Sequence, residues 1–134
     1  MSSETQRILE TSPFTKLLGL RLKSEGKGEV VTELSLRADL MQQDGIAHAG
    51  VLATLADHSA GAAAGTLLEK NQMVLTAEFK INLLRAAKGD FLECHSKVLK
   101  AGKSLVVAES EIIDPKTQQL LAKAIVTMSV IIKR

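Results

Sequence analysis

Residues 47–68 form a run almost free of charge and crowded with Ala and Gly, and no other stretch restricts the fold as tightly. It is about as long as a membrane-spanning helix. Two features point instead to a helix enclosed by the protein itself. Asp57 and His58 stand near its middle, where charge is most costly in a bilayer. The remainder has few Leu or Ile, and residues 60–65 read Ala-Gly-Ala-Ala-Ala-Gly. Small side chains let a helix approach another backbone closely, which suits a helix wrapped by a sheet. A lone carboxylate in an apolar helix is unfavourable unless it has partners. Asp57 therefore reads as a candidate catalytic group; otherwise it turns to solvent or caps a neighbouring backbone group.

The rest of the chain divides into short elements. Residues 4–18 predict a short helix interrupted at Pro13. Residues 20–24 and 28–36 alternate apolar and polar side chains around Glu25-Gly26-Lys27-Gly28, which predicts a hairpin. The long helix is expected to end near Lys70 and Asn71. Strands are predicted at 73–84, 91–100, 104–113 and 120–132, separated by Gly- and Pro-containing turns. In the first of these, Val74, Thr76, Glu78 and Lys80 recur at every second position. The predicted order is short helix, hairpin, long helix, antiparallel meander. That is one α+β domain over residues 1–134, with one helix against one sheet.

Composition removes several function classes. Aromatic residues are 2% of the chain, too few for the stacking platforms of single-stranded nucleic-acid binders. A net charge of +2 does not suggest a nucleic-acid partner either. Cys94 is the only cysteine, so no intramolecular disulfide forms and a reducing compartment is expected. It alternates with Leu92 and Val98, and is expected to be a buried small residue. Residues 1–7 are polar and lack the apolar stretch of a secretion signal. The cytoplasm is the expected location, without a membrane association.

A spaced set of residues leads into the long helix. Gln42 is followed three positions on by Gly45, then by His48-Ala49-Gly50, and Asp57 stands nine residues past His48. Thr76 opens the strand after the helix. These residues and the order of elements resemble the hotdog-fold acyl-CoA thioesterases, most closely their phenylacetate-pathway (PaaI-like) branch, over residues 18–133. Two positions depart from that family's pattern: Ala49 replaces the first glycine of a pair, and Ala86 stands where proline is usual. The resemblance implies a curved antiparallel sheet wrapped around a central helix, and subunits that pair through their sheets.

Each position also has a reading of its own. The first N–H groups of a helix lack internal partners and carry the positive end of its dipole. The amides of Ala49 and Gly50 can thus stabilise an oxyanion, or simply begin a helix. Alanine keeps the N–H that this role needs and adds a methyl group. Asp57 would act as general base on water or as nucleophile on the carbonyl. Gln42 would orient water or hold the acyl carbonyl, and alone would be a solvated loop residue. His48 would donate to the carbonyl or leaving group, or else brace the loop. Thr76 would hold the water, though Thr is common in strands. Arg85, Lys88 and Lys103, with Lys100, flank turns or strand ends and would meet the phosphates of coenzyme A, or be ordinary surface. Asp57, His58 and Ser59 are consecutive and cannot converge as a triad, and the three histidines lack metal-ligand spacing.

Assembly follows from length. Ala49 and Asp57 are eight residues apart, about 12 Å along a helix axis, whereas an oxyanion donor and its nucleophile both lie about 3 Å from one carbonyl. One helix cannot supply both. Two antiparallel helices can, which agrees with the intersubunit sites implied by the resemblance. An obligate homodimer is expected, with Gln42, His48 and Ala49 of one chain facing Asp57 and Thr76 of its partner, and a tetramer of two dimers remains open. The expected activity is hydrolysis of an acyl-CoA thioester to a carboxylic acid and free coenzyme A, with no metal or redox cofactor. A non-catalytic acyl-CoA-binding hotdog protein is the alternative, and a hotdog dehydratase is a third.

Overall fold

The computed structural model describes residues 3–134; the first two, part of the polar N-terminal stretch, lie outside it. Helices α1 (Glu4–Thr11) and α2 (Pro13–Leu18) are separate because Pro13 opens the second one. Proline lacks an N–H and fits the first helical position, while the residue before it is pushed to extended backbone. Ser12 indeed sits at φ −60°, ψ 129°. Strands β1 (Arg21–Gly26) and β2 (Glu29–Ser35) make the expected hairpin. The long helix α3 spans Ala49–Gly65. Then come β3 (Gln72–Leu83), β4 (Phe91–Ala101), β5 (Leu105–Ile113) and β6 (Leu120–Ile132).

Two expectations need correction. The long helix stops at Gly65, not near Lys70. The Thr66 hydroxyl donates to the Ala63 carbonyl at 2.7 Å and accepts the Gly28 amide at 2.7 Å, tying the helix end to the β1–β2 turn. The last four strands are also not a simple meander. The sheet runs β1-β2-β4-β5-β6-β3 with every pair antiparallel. Strands β4, β5 and β6 are a meander, but β3 lies beyond β6 at the edge. The helix lies on one face of the sheet, and the chain leaving it enters β3 at the far border.

The alanines explain how the sheet closes on the helix. Ala56, Ala60, Ala63 and Ala64 are fully buried, beside Leu52 and Leu55. They belong to one core with Leu92, Ala108, Ile112, Val126 and Met128 of the sheet. No helix among the described residues is long and apolar enough to cross a membrane.

Hydroxyl groups cross the helix–sheet seam. Thr32 on β2 and Ser59 on α3 are 2.7 Å apart, as are Ser96 on β4 and Ser110 on β5. Ser110 donates to the Ala56 carbonyl at 2.7 Å. Each hydroxyl has one proton, so Ser96 donates to Ser110, and the Cys94 thiol, 3.6 Å from Ser96, is the donor to it. An unpaired buried polar group costs about 1–3 kcal/mol; here all are paired. The ladder fixes α3 against the sheet one residue before Asp57.

Candidate active site

Asp57 lies on α3, half-buried, with its side chain at the junction of two clefts. It is less isolated than its apolar helix suggests. The Thr76 hydroxyl donates to Asp57 Oδ1 at 2.7 Å, so the structure brings these two expected residues together within one chain. A bulge makes that possible. The β3–β6 register slips between Thr76 and Glu78, leaving Ala77 as an extra residue. Thr76 is opposite Met128, which is fully buried under the helix. Past the bulge Phe79 is opposite buried Val126, and Ile81 opposite Ala124. Val74, Thr76, Phe79 and Ile81 therefore share the helix face. Glu78 and Lys80, aligned with Val74 and Thr76 by simple alternation, are on the other face. Bulges of this kind re-aim side chains beside functional sites.

The other residues of the spaced set lie at the start of the helix, two turns before Asp57. His48 is its N-cap, and Nδ1 accepts the Gly50 amide at 2.9 Å. That bond assigns the ring proton of a neutral imidazole to Nε2, leaving an N–H donor. It also occupies the Gly50 amide, so Gly50 is not a free oxyanion donor in the chain. The Ala49 amide opens the helix without an intrahelical acceptor, and its residue is exposed. Gln42 holds its own loop: its side-chain Oε1 accepts the Asp44 amide, while its carbonyl accepts the Gly45 amide at 3.1 Å. Gly45 completes this turn at φ +79°, a conformation that glycine adopts freely. The Gln42 side-chain NH2 is left as the group able to meet a ligand. The loop is braced from outside, since the Ala47 amide donates to the Ala87 carbonyl at 2.9 Å.

The basic residues do not converge. Arg85 follows β3 and donates to the Leu120 carbonyl at 2.8 Å. Lys88 shares that loop, close to the chain around His48. Lys103 lies in the β4–β5 turn, next to Ser104, whose carbonyl takes the Val130 amide. Leu120 and Val130 are at opposite ends of β6, so Lys103 cannot act with Arg85 and Lys88 in one chain's site.

The sequence excluded His58 from a triad or metal site and assigned it no other role. Its Nε2 is 2.8 Å from the Ile8 carbonyl, joining α1 to the central helix beside Asp57. A second polar residue in the apolar run was the available signal. Cys94 is buried as expected, but among hydroxyl groups. Desolvation by complete burial pushes its thiol pKa up.

Comparison with known proteins agrees with this architecture. Residues 44–121 match the thioesterase superfamily. A 1,4-dihydroxy-2-naphthoyl-CoA hydrolase from Listeria monocytogenes is 30% identical over 117 residues, 87% of this chain and 94% of that protein. A thioesterase family protein from Silicibacter pomeroyi superposes with a TM-score of 0.91 at 30% identity, covering 96% of each chain. A hypothetical thioesterase protein from Streptococcus pneumoniae, solved with coenzyme A, gives 0.78 at 26% identity, with 86% of this chain and 88% of that one covered. The chain belongs to the thioesterase superfamily, and its antiparallel sheet around one long helix is the hotdog fold.

Proposed function

We propose that this protein is an acyl-CoA thioesterase of the phenylacetate-pathway type, acting as a homodimer in the cytoplasm. The observation that carries the reading is the Asp57–Thr76 pair, held at 2.7 Å on the open side of the central helix. In its ionised form Asp57 accepts the Thr76 proton on one oxygen and keeps the other for catalysis. As general base it removes a proton from water while the water oxygen attacks the thioester carbonyl. The C–S bond then breaks, coenzyme A leaves as a thiolate and takes up a proton, and the acid departs. Direct attack by Asp57 on the carbonyl, followed by hydrolysis of the anhydride, uses the same geometry.

The developing oxyanion needs donors. The Ala49 amide and His48 Nε2–H supply them at the positive end of α3. They lie about 12 Å along the helix from Asp57 of the same chain, so a second copy completes each site. Strand β3 supports such pairing. It is a long edge strand with Leu75 at 52% and Leu83 at 51% exposure, and unpaired apolar edges of this kind are ordinarily covered. Coenzyme A as the thiol half of the substrate is supported by the Listeria relative's name and by the ligand of the Streptococcus structure. Arg85 and Lys88, beside the His48 loop, are the candidates for its phosphates.

The test is release of coenzyme A from short, long and aromatic acyl-CoAs, followed with a thiol reagent. The wild type should turn over at least one class. Asp57→Asn keeps the volume and removes the base, and should lower kcat at least about a hundredfold. Near-normal turnover by Asp57→Asn would remove Asp57 from the mechanism, and a wild type inert toward all three classes would overturn the hydrolase reading.

A further inference from the structure

The larger of the two clefts at Asp57 has a volume of about 830 Å³ and runs between α3, β3 and α1. Pockets that enclose a whole small organic ligand span about 300–1,000 Å³. One wall is a single stripe of α3, where Asp57, Gly61 and Gly65 follow each other at four-residue intervals and so share a face. Val74 and Thr76 of β3 form the facing wall, and Ile8 of α1 lies against the far part. Charged residues, among them Arg7, Lys70 and Lys133, also border the cleft.

Gly61 is the informative residue. Glycine inside a helix is about 1 kcal/mol less favourable than alanine, and every neighbour from Ala60 to Ala64 is alanine. A close neighbour would account for it, yet a Cβ built at Gly61 meets nothing within 4 Å. At Gly65 the same atom would lie 3.7 Å from Ile8 Cδ1, an ordinary contact. Packing within the chain therefore does not require glycine at 61. What the missing methyl leaves is width in the cleft, one turn beyond the candidate catalytic carboxylate.

We propose that this cleft receives the acyl group of the thioester, and that Gly61 is a specificity-determining residue that keeps the path along α3 open. The inference rests on the thioesterase reading and adds the substrate class: extended apolar acyl groups, reaching from Asp57 past Gly61 toward Ile8. The pantetheine arm fits less well, because its amides would find few polar partners along the Gly61–Gly65 wall. From Asp57 to Gly65 the stripe is about 12 Å long, far more than an acetyl group occupies.

Calorimetric titration with decanoyl-CoA, acetyl-CoA and free coenzyme A tests this in the Asp57→Asn background, where turnover is slow. Decanoyl-CoA should bind at least about tenfold more tightly than acetyl-CoA, the effect of burying about two methylene groups. Gly61→Leu should reduce that ratio to below about threefold, by occupying the space an acyl chain needs. Gly61→Ala, which favours the helix, should reduce it in the same direction and serves if the leucine variant does not fold. Equal binding of the two thioesters, or an unchanged ratio in both variants, would overturn the proposal. So would a loss of affinity for free coenzyme A in the Gly61 variants, which would place the pantetheine arm in the cleft. A dimeric wild type that becomes monomeric on Gly61→Ala would assign the glycine to contact between copies and overturn it equally. A decanoyl preference without hydrolysis would leave the acyl cleft standing and remove the hydrolase reading. Hydrolysis without the preference would do the reverse.

Discussion

Asp57 owes its setting to one hydroxyl. The Thr76 bond at 2.7 Å leaves one carboxylate oxygen free, and a hydrogen bond to a charged group contributes about 1.5–3 kcal/mol. Thr76→Ala should therefore lower kcat about tenfold, with KM little changed. Thr76→Ser keeps the hydroxyl and should recover most of the rate. Equal kcat in all three forms would show that Thr76 only packs. At this scale Asp57 stood out in the sequence because a carboxylate inside an alanine-rich helix has few explanations, whereas Gln42, His48, Ala49 and Thr76 drew their weight from the motif. Their hydrogen bonds were not legible. Gln42 turns its Oε1 to the Asp44 amide and His48 turns Nδ1 to the Gly50 amide, choices set by a loop backbone that bends at Gly45.

The central helix and the sheet meet through both alanine and hydroxyl contacts, and the second kind has a measurable consequence. Burial pushes the Cys94 thiol pKa up, whereas an unfolded thiol titrates near about 8.5. Above that value the unfolded chain has lost a proton that the folded chain retains, so unfolding is favoured as pH rises. Below it the contribution to stability is complete. Urea midpoints should fall between about pH 8 and 10 in the wild type, and fall less in Cys94→Ala; parallel curves would contradict the buried-thiol account. The elements themselves were largely readable. Pro13 divides the first helix, Gly-containing turns separate the strands, and a run of small residues marks the core helix. The bulge at Ala77 and the place of β3 beside β6 were not readable, because register and strand order depend on contacts far apart in the chain. Thr76 was assigned to the site by the family resemblance, while the bulge that orients it became visible only in the pairing with Met128.

Taken alone, the chain holds two parts of the candidate site, one at the start of the central helix and one at its middle. The Ala49 amide and His48 ring lie at its start, and Asp57 with Thr76 lies two turns on. On the proposed reading a second copy supplies the missing half of each site, and the apolar edge of β3 offers that copy a place to join. Two inactive variants test this directly. Asp57→Asn and Gln42→Ala each damage both sites of a homodimer. In a mixed dimer one site combines intact Gln42 with intact Asp57, and the other collects both defects. Unfolding and refolding an equal mixture should make about half the dimers mixed. With one working site in two, the mixture should recover about a quarter of wild-type turnover, well above either parent. If mixed dimers form and turnover stays at the average of the parents, each site lies within one chain and the two-copy account is wrong.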